Sequence, residues 1–198
     1  MNCFLISGFL GSGKTTLILV LAKRLVEEGI KKVGIIVNEI GKIGIDGDII
    51  KQLDLNTWEL FGSCICCTLG PDLLKTIEEI DQRYKCDLVL IEPTGVADPQ
   101  NILNLLNKFK GGVIKKIISL VVLDPTRFSI LNQMMTPLLT SQIKAADILL
   151  INKTDISPLE ELTFTRRSAG TLNPEADILE ISAIENKGIE PLVKIIIE

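Results

Sequence analysis

The chain has 198 residues, 46% of them hydrophobic, with 21 basic against 25 acidic side chains and a formal net charge of −4. That length suits one domain with a sizeable core, and the near balance of charge excludes the long-range attraction that nucleic acid or an anionic membrane surface would need. Histidine is absent, and five cysteines, three of them within four positions, are poor material for a disulfide framework and point to a reducing cytoplasm.

The N-terminal MNCFLISGF carries no basic leader followed by a separate apolar stretch and cleavage site, so no signal peptide is expected. Residues Asn2–Ile6 read as a first strand, followed by a glycine turn and a helix from about Gly13 to Glu28. Leu17, Val20, Leu21 and Leu25 supply its apolar face, and Gly29 stops it. Lys32–Val37 reads as a second strand. Residues 38–57 read as a long loop with a short helix at Gly47–Gln52. Leu69–Tyr84 reads as a helix with Pro71 and Asp72 in its first turn, where both residue types are favoured. A strand at Asp87–Glu92, a helix at Gln100–Phe109 and a strand at Lys116–Leu123 follow. Lys108, Lys110, Lys115 and Lys116 read as an ordinary wet surface around the Gly111–Gly112 turn. The remaining pattern gives a helix at Pro137–Ala146, a strand at Ile148–Asn152, a helix at Pro158–Ala169, a strand at Asp177–Ile181 and a helix at Gly188–Ile197. The apolar runs 117–123 and 148–151 fall far short of the roughly 20 residues that cross a bilayer. Strands apolar on both faces and separated by helices predict an α/β three-layer sandwich: a mostly parallel sheet with helices on both sides, spanning 1–198 as a single P-loop domain.

The strongest signal is GFLGSGKT at 8–15, which has the spacing G-x-x-x-x-G-K-[ST] after an apolar strand and at the start of a helix. Gly8, Gly11 and Gly13 let successive backbone N–H groups, with those of Ser12 and Thr16, turn toward phosphates at a helix N-terminus. Lys14 is expected at the β- and γ-phosphates and Thr15 on Mg(II). In NKTD, Asn152–Asp155, the Asp155 carboxylate can accept two hydrogen bonds from guanine N1–H and the 2-amino group, which adenine cannot offer. The stem of Lys153 can lie over the base and Asn152 can brace the loop. In the following ISA, which contains Ser182, the Ala183 N–H can meet guanine O6.

Glu92 and Gly95 lie in IEPTG at the end of a buried strand. There Glu92 can bind a magnesium-bound water or orient the attacking one, and the Gly95 N–H can sense the γ-phosphate. Between them and the P-loop runs NEIGKIGIDGD, with three glycines and three carboxylates, composition suited to a loop that moves when the γ-phosphate is lost. Asp46 is either a magnesium or water contact or an ordinary Asp-Gly turn. No arginine is placed by pattern as a finger in cis and no histidine can serve as base, so slow intrinsic hydrolysis, relieved by a partner or by dimerisation, is expected. Cys64, Cys66 and Cys67 in GSCICC can converge on a soft ion, with Zn(II), Cu(I) and Ni(II) all chemically reasonable. Buried inert thiols or a reactive dithiol are the other readings. Cys3 and Cys86 belong in the core.

Together, GFLGSGKT, VNEIG (37–41), CICC (64–67), IEPTGVADP (91–99), VVLDPTRF (121–128), NKTD and LNPEADILEISA (172–183) resemble the CobW-like GTPases. This is a branch of the SIMIBI-class P-loop proteins related to the HypB and UreG metallochaperones, and the likeness covers nearly the whole chain. The resemblance implies a GTP hydrolase that couples its nucleotide state to metal binding and transfer toward a client metalloenzyme or cofactor-dependent enzyme, often as a homodimer. It implies a metal role for Glu39, which matches the acidic switch residue of the family's NEFG motif, and for Cys64, Cys66 and Cys67. Three features depart from the pattern: Lys42 stands where the family commonly has an acidic residue, no histidine tract exists, and the usual C-terminal domain is not expected after Glu198. A role in assembling a corrinoid-dependent enzyme is compatible with so short a chain. The competing reading is a regulatory GTP-binding docking module with structural or redox-active cysteines. An ATP-using kinase or synthetase is disfavoured by Asp155.

Overall fold

The computed structural model describes residues 1–30, 32–37, 56–59, 69–109 and 114–198. Its strands are β1 (Asn2–Ser7), β2 (Val33–Val37), β3 (Asn56–Glu59), β4 (Leu88–Glu92), β5 (Lys116–Leu123), β6 (Ile148–Ile151) and β7 (Asp177–Glu180). They form one sheet in the order β3-β2-β4-β1-β5-β6-β7, and every pairing in it is parallel. The described helices are α1 (Lys14–Glu27), α2 (Leu69–Glu79), α3 (Pro99–Lys108), α4 (Pro125–Met134), α5 (Thr136–Lys144), α6 (Leu159–Leu172) and α7 (Glu190–Ile197). No described helix is long and apolar enough to cross a membrane.

Strand alternation assigns the two faces. Phe4 and Ile6 of β1, with Ile35, Leu90, Leu120 and Leu150, pack under Leu17, Leu21 and Leu25 of α1 and Leu192, Val193 and Ile196 of α7. Cys3 and Leu5 point the other way. With Ile36, Val89 and Ile91 they meet Leu73 and Ile77 of α2 and Ile102 and Leu106 of α3. Further along that face, Val121, Leu123 and Leu149 pack against Phe128 of α4, Leu139 and Ile143 of α5 and Ala169 of α6. Both faces of the central strands are therefore buried, which is why those strands read as unbroken apolar runs. Burying one such Leu or Ile contributes about 1.5–3 kcal/mol.

Several boundaries and two elements differ from the sequence reading. β3 falls inside the stretch read as loop. It is a four-residue edge strand of sequence NTWE, too short and polar to show a two-faced apolar pattern. Helix α4 was not expected because it buries little, mainly Pro125 and Phe128. Its start signal is nonetheless written in the chain: Asp124 caps it, accepting from the Thr126 N–H, and Pro125 takes the first helical position. The helix expected over 69–84 ends in a wider π-type turn, Ile80–Tyr84, closed by Lys85 in the left-handed region (φ 50°) with its N–H on the Ile80 carbonyl. The short helix expected at Gly47–Gln52 and the Gly111–Gly112 turn with Lys110 lie outside the described residues.

Because all strands run parallel, the carboxyl ends of β1, β4 and β6 open onto one edge of the sheet, where ligands of such sheets bind. Val37 at the end of β2 is in register with Glu92 at the end of β4 and with Glu59 at the end of β3. The chain thus leaves the sheet toward 38–55 from Val37, beside Glu92, and toward 60–68 from Glu59, one strand further out.

Candidate functional site

The loop between β1 and α1 is a chain of positive-φ glycines, with Gly8 at 138°, Gly11 at 80° and Gly13 at 94°. Gly13 is doubly constrained, because a Cβ there would lie 2.3 Å from Asn152 Nδ2. The loop is pinned by Ser12 N–H donating to the Phe9 carbonyl at 3.2 Å. Thr15 and Thr16 follow in the first turn of α1, Thr15 half-buried and Thr16 exposed.

Lys14 and Glu92 meet in the floor of this loop. Lys14 is buried, donates from Nζ to the Phe9 carbonyl at 3.2 Å, and lies 3.8 Å from Glu92 Oε1. Thr15 Oγ1 is within 3.0 Å of Glu92 Oε1 and 2.9 Å of Oε2, so its single proton is shared by the two carboxylate oxygens. Burial holds the Lys14 ammonium below the usual lysine value, opposed by the Glu92 charge. Burial likewise lifts Glu92 above the usual carboxylate value, opposed by Lys14 and by the Thr15 hydrogen bond. Ser12 Oγ is buried with no hydrogen-bond partner. A cation, a hydroxyl and an unpaired hydroxyl at a helix N-terminus fit a polyphosphate. The Thr15 hydroxyl and the Glu92 carboxylate are the hard oxygen donors that suit Mg(II).

Gly95 is brought onto the same loop. A Cβ on it would sit 2.5 Å from the Leu10 nitrogen, so only glycine permits this approach. The segment after Glu92 is held from behind by α5. Gln142, fully buried, donates from Nε2 to the carbonyls of Gly95 and Ala97, both at 3.3 Å, and Ser141 Oγ donates to Asp98 Oδ1 at 2.9 Å.

The second half of the site is the turn after β6. Asn152 is buried and bifunctional: Nδ2 donates to the Ser12 carbonyl at 2.8 Å, and Oδ1 accepts from the Ala183 N–H at 3.0 Å. It brings the glycine loop and the 181–183 turn to one point. Ala183, read from the sequence as a donor to the base, therefore directs its N–H to Asn152. Ser182 Oγ donates to Asp155 Oδ1 at 2.6 Å and orients that otherwise exposed carboxylate. Lys153 has φ 64°, a left-handed backbone that costs a non-glycine residue about 1–3 kcal/mol. Its carbonyl compensates by accepting from Ser157 N–H at 3.1 Å and Ser157 Oγ at 2.6 Å. Lys153 Nζ lies 2.6 Å from Asp124 Oδ2.

Glu39, Asp46, Cys64, Cys66 and Cys67 lie outside the described residues. Among the described residues no group of three or more Cys, Asp or Glu could hold a metal ion. Cys3 and Cys86 are buried free thiols, as the sequence suggests, and burial pushes them up to about 12 and about 11, which makes both inert. Sequence reasoning missed Asp124, Arg127 and Gln142. Asp124 and Arg127 lie in the VVLDPTRF run, which includes an Asp-Pro helix start, but no role was read for either, and Gln142 left no trace.

Residues 2–180 match the family described as CobW/HypB/UreG, nucleotide-binding domain. The zinc chaperone YeiR of Escherichia coli (strain K12) is 36% identical over 152 residues, an alignment covering 76% of this chain and 46% of that protein. The zinc chaperone CobW of Sinorhizobium sp is 32% identical over 180 residues, covering 76% of this chain and 50% of that protein. The chain thus spans about half the length of these curated relatives. Among solved structures, the hydrogenase maturation factor HypB from Archaeoglobus fulgidus superposes with a TM-score of 0.74 at 20% identity. That superposition covers 99% of this chain and 88% of the other and shows the shared fold.

Proposed function

The chain belongs to the CobW/HypB/UreG family of P-loop GTPases, and on that premise we propose that it hydrolyses GTP to GDP and phosphate and uses the cycle to bind and release a metal ion for a client protein. The observation that carries the catalytic half is the contact of Thr15 Oγ1 with both oxygens of Glu92, beside the buried Lys14. It couples the phosphate loop directly to the end of β4, from which 38–55 departs one strand away.

In this reading the N–H groups of Gly11, Ser12, Gly13, Lys14, Thr15 and Thr16 cradle the phosphates, with Gly8 opening the turn. Lys14 offsets charge developing on the transferring phosphoryl group. Thr15 and Glu92 would hold Mg(II), which supplies charge neutralisation between the β- and γ-phosphates. Glu92 also orients the attacking water, and the Gly95 N–H reads the γ-phosphate. Asp155 takes guanine N1–H and the 2-amino group, the stem of Lys153 covers the base, and Asn152 and Ser182 hold the pocket in shape. Ala183 meets guanine O6 only if its N–H is shared with Asn152.

The cargo ion is Zn(II), carried by Cys64, Cys66 and Cys67 with Glu39 as the acidic residue of the nucleotide-sensing segment, where Asp46 contacts Mg(II) or its water. Two supports stand behind this: the relatives named as zinc chaperones, and the departure of 60–68 from Glu59, in register with Val37 beside Glu92. Leu10 and Val96, exposed at 74% and 62% on either side of the Gly95 contact, give the phosphate end an apolar edge suited to a second copy or a client.

The test is a Zn(II) titration of reduced protein in the GDP state and with a non-hydrolysable GTP analogue, with Cys66→Ser alongside. Affinity that changes with nucleotide and falls in the variant is the expected result, since coupling must be reciprocal. Tight binding indifferent to nucleotide would make the ion structural. No binding would leave a GTP-dependent docking module.

A further inference from the structure

The base loop is tied to a helix that has no part in the reading above. Asp124 closes β5 and caps α4, and its two carboxylate oxygens are divided between two tasks. Oδ1 accepts from the Thr126 N–H at 3.1 Å and the Thr126 hydroxyl at 2.7 Å, while Oδ2 lies 2.6 Å from Lys153 Nζ. Asp124 is 3% exposed and Lys153 29%, so the carboxylate is fixed by burial and the lysine comes to it. Three residues on, Arg127 Nη1 donates to the Leu10 carbonyl at 2.9 Å. The first turn of α4 therefore touches the base loop and the phosphate loop at once. Lys153 is restrained at its other end as well, by its left-handed backbone and the two hydrogen bonds from Ser157.

We propose that Asp124 is a positioning residue for guanine binding: its Oδ2 anchors the Lys153 ammonium, so that the aliphatic stem is laid out along the base pocket before a nucleotide enters. The inference rests on the reading of 152–155 as the guanine loop. A lysine stem is flexible and rich in rotamers. A base that must immobilise it loses part of the contact energy to ordering, and an anchor at each end removes that loss. Asp124 acts only through Lys153, which separates it from Asp155 and its direct hydrogen bonds to the base.

Asp124→Asn separates the two tasks of this residue, because asparagine caps a helix as well as aspartate does through its one oxygen, while an amide NH2 that cannot accept from the Lys153 ammonium replaces Oδ2. Equilibrium binding of a fluorescent GDP analogue to the full chain is measured for Asp124→Asn, Lys153→Met and the double variant. The expected result is an affinity loss of about tenfold for Asp124→Asn, the order that freezing one long side chain commands, and less than about twofold further loss when it is added to Lys153→Met. Asp124→Glu restores part of the affinity. A loss below about twofold in the unaltered background would make the ion pair inert. Equal losses in both backgrounds would make Asp124 a cap of α4 and nothing more. Either outcome overturns the proposal, and the cycle decides even if Asp124→Asn melts lower. Asp155→Asn, measured alongside against xanthine and guanine nucleotides, tests the loop itself, since an amide donates to the C2 carbonyl that xanthine carries in place of the amino group. A switch toward xanthine keeps the loop reading whatever the cycle says, and its absence removes that reading and the proposal together.

Discussion

The two ends of the site are built on opposite terms. At the base end every buried polar group has its partner. Asn152 uses both amide ends, Ser182 donates to Asp155 and accepts from the Glu185 N–H, and Lys153 is paired at side chain and carbonyl. At the phosphate end Ser12 Oγ is buried unpaired, Lys14 and Glu92 stand 3.8 Å apart, and burial works against the charge of each. The base end is a finished mould, and the phosphate end is a set of groups whose demands a polyphosphate and its cation would meet. Under the proposed function, the difference puts rigidity where the base would be recognised and responsiveness where a phosphate would leave.

The largest effect comes from emptying the responsive end. Lys14→Ala removes the cation buried against Glu92, and single-turnover hydrolysis of GTP should fall by about a thousandfold, as when an oriented donor to a developing charge is deleted. The base end should survive intact, so the change is read against guanosine affinity, whose base contribution should persist. A variant that hydrolyses normally would remove Lys14 from the chemistry.

The rigid end breaks through Asn152. Asn152→Ala leaves the Ser12 carbonyl and the Ala183 N–H buried without partners, which at the usual cost of such groups lowers unfolding free energy by about 2–4 kcal/mol. Urea denaturation of the nucleotide-free protein measures it. A loss within a few tenths of a kcal/mol would show the clamp to be redundant.

The phosphate end also writes its tension into pH. Between 4.5 and the raised value of Glu92, the native chain keeps a proton that the unfolded chain has released. The native state then binds more protons, so stability without nucleotide falls as pH rises through that window. Lys14 acts in the opposite sense at the alkaline end: between its lowered value and 10.5 the unfolded chain holds the extra proton and stability climbs with pH. Glu92→Gln should flatten the acid-side slope in urea denaturations run across pH. An unchanged slope would place its origin in another carboxylate.

What could be read in advance follows the same division. The placement of Lys14, Thr15, Asn152 and Asp155 was legible because each sits at a fixed offset from a glycine turn or a strand end, and local spacing alone puts them there. The central strands were legible because burial on two faces leaves an unbroken apolar run. β3 and α4 were not: the first is a polar edge, and the second presents few side chains to the core. The supporting residues were hidden for a different reason. Asp124 meets Lys153 across 29 positions, Gln142 meets Gly95 across 47, and Arg127 meets Leu10 across 117. No local pattern encodes contacts at those separations, which exist only once the sheet order is set.

The smallest expected effect is the most pointed test of the finished mould. Ser182 Oγ does nothing but orient: it donates to Asp155 Oδ1 at 2.6 Å and accepts the Glu185 N–H at 3.2 Å. Ser182→Ala removes an oxygen of small volume and leaves the Glu185 N–H at a half-exposed turn, where water replaces it. The fold should lose under about 1 kcal/mol, while Asp155 regains rotamer freedom and GDP affinity falls by roughly fivefold, the worth of one ordered hydrogen bond near 1 kcal/mol. Inosine diphosphate, which lacks the 2-amino group, should lose less than GDP, because it depends on fewer of the carboxylate's hydrogen bonds. Equal losses for the two nucleotides would mean that Ser182 shapes the turn rather than the carboxylate, and the mould would then be held by Asn152 and Asp124 alone.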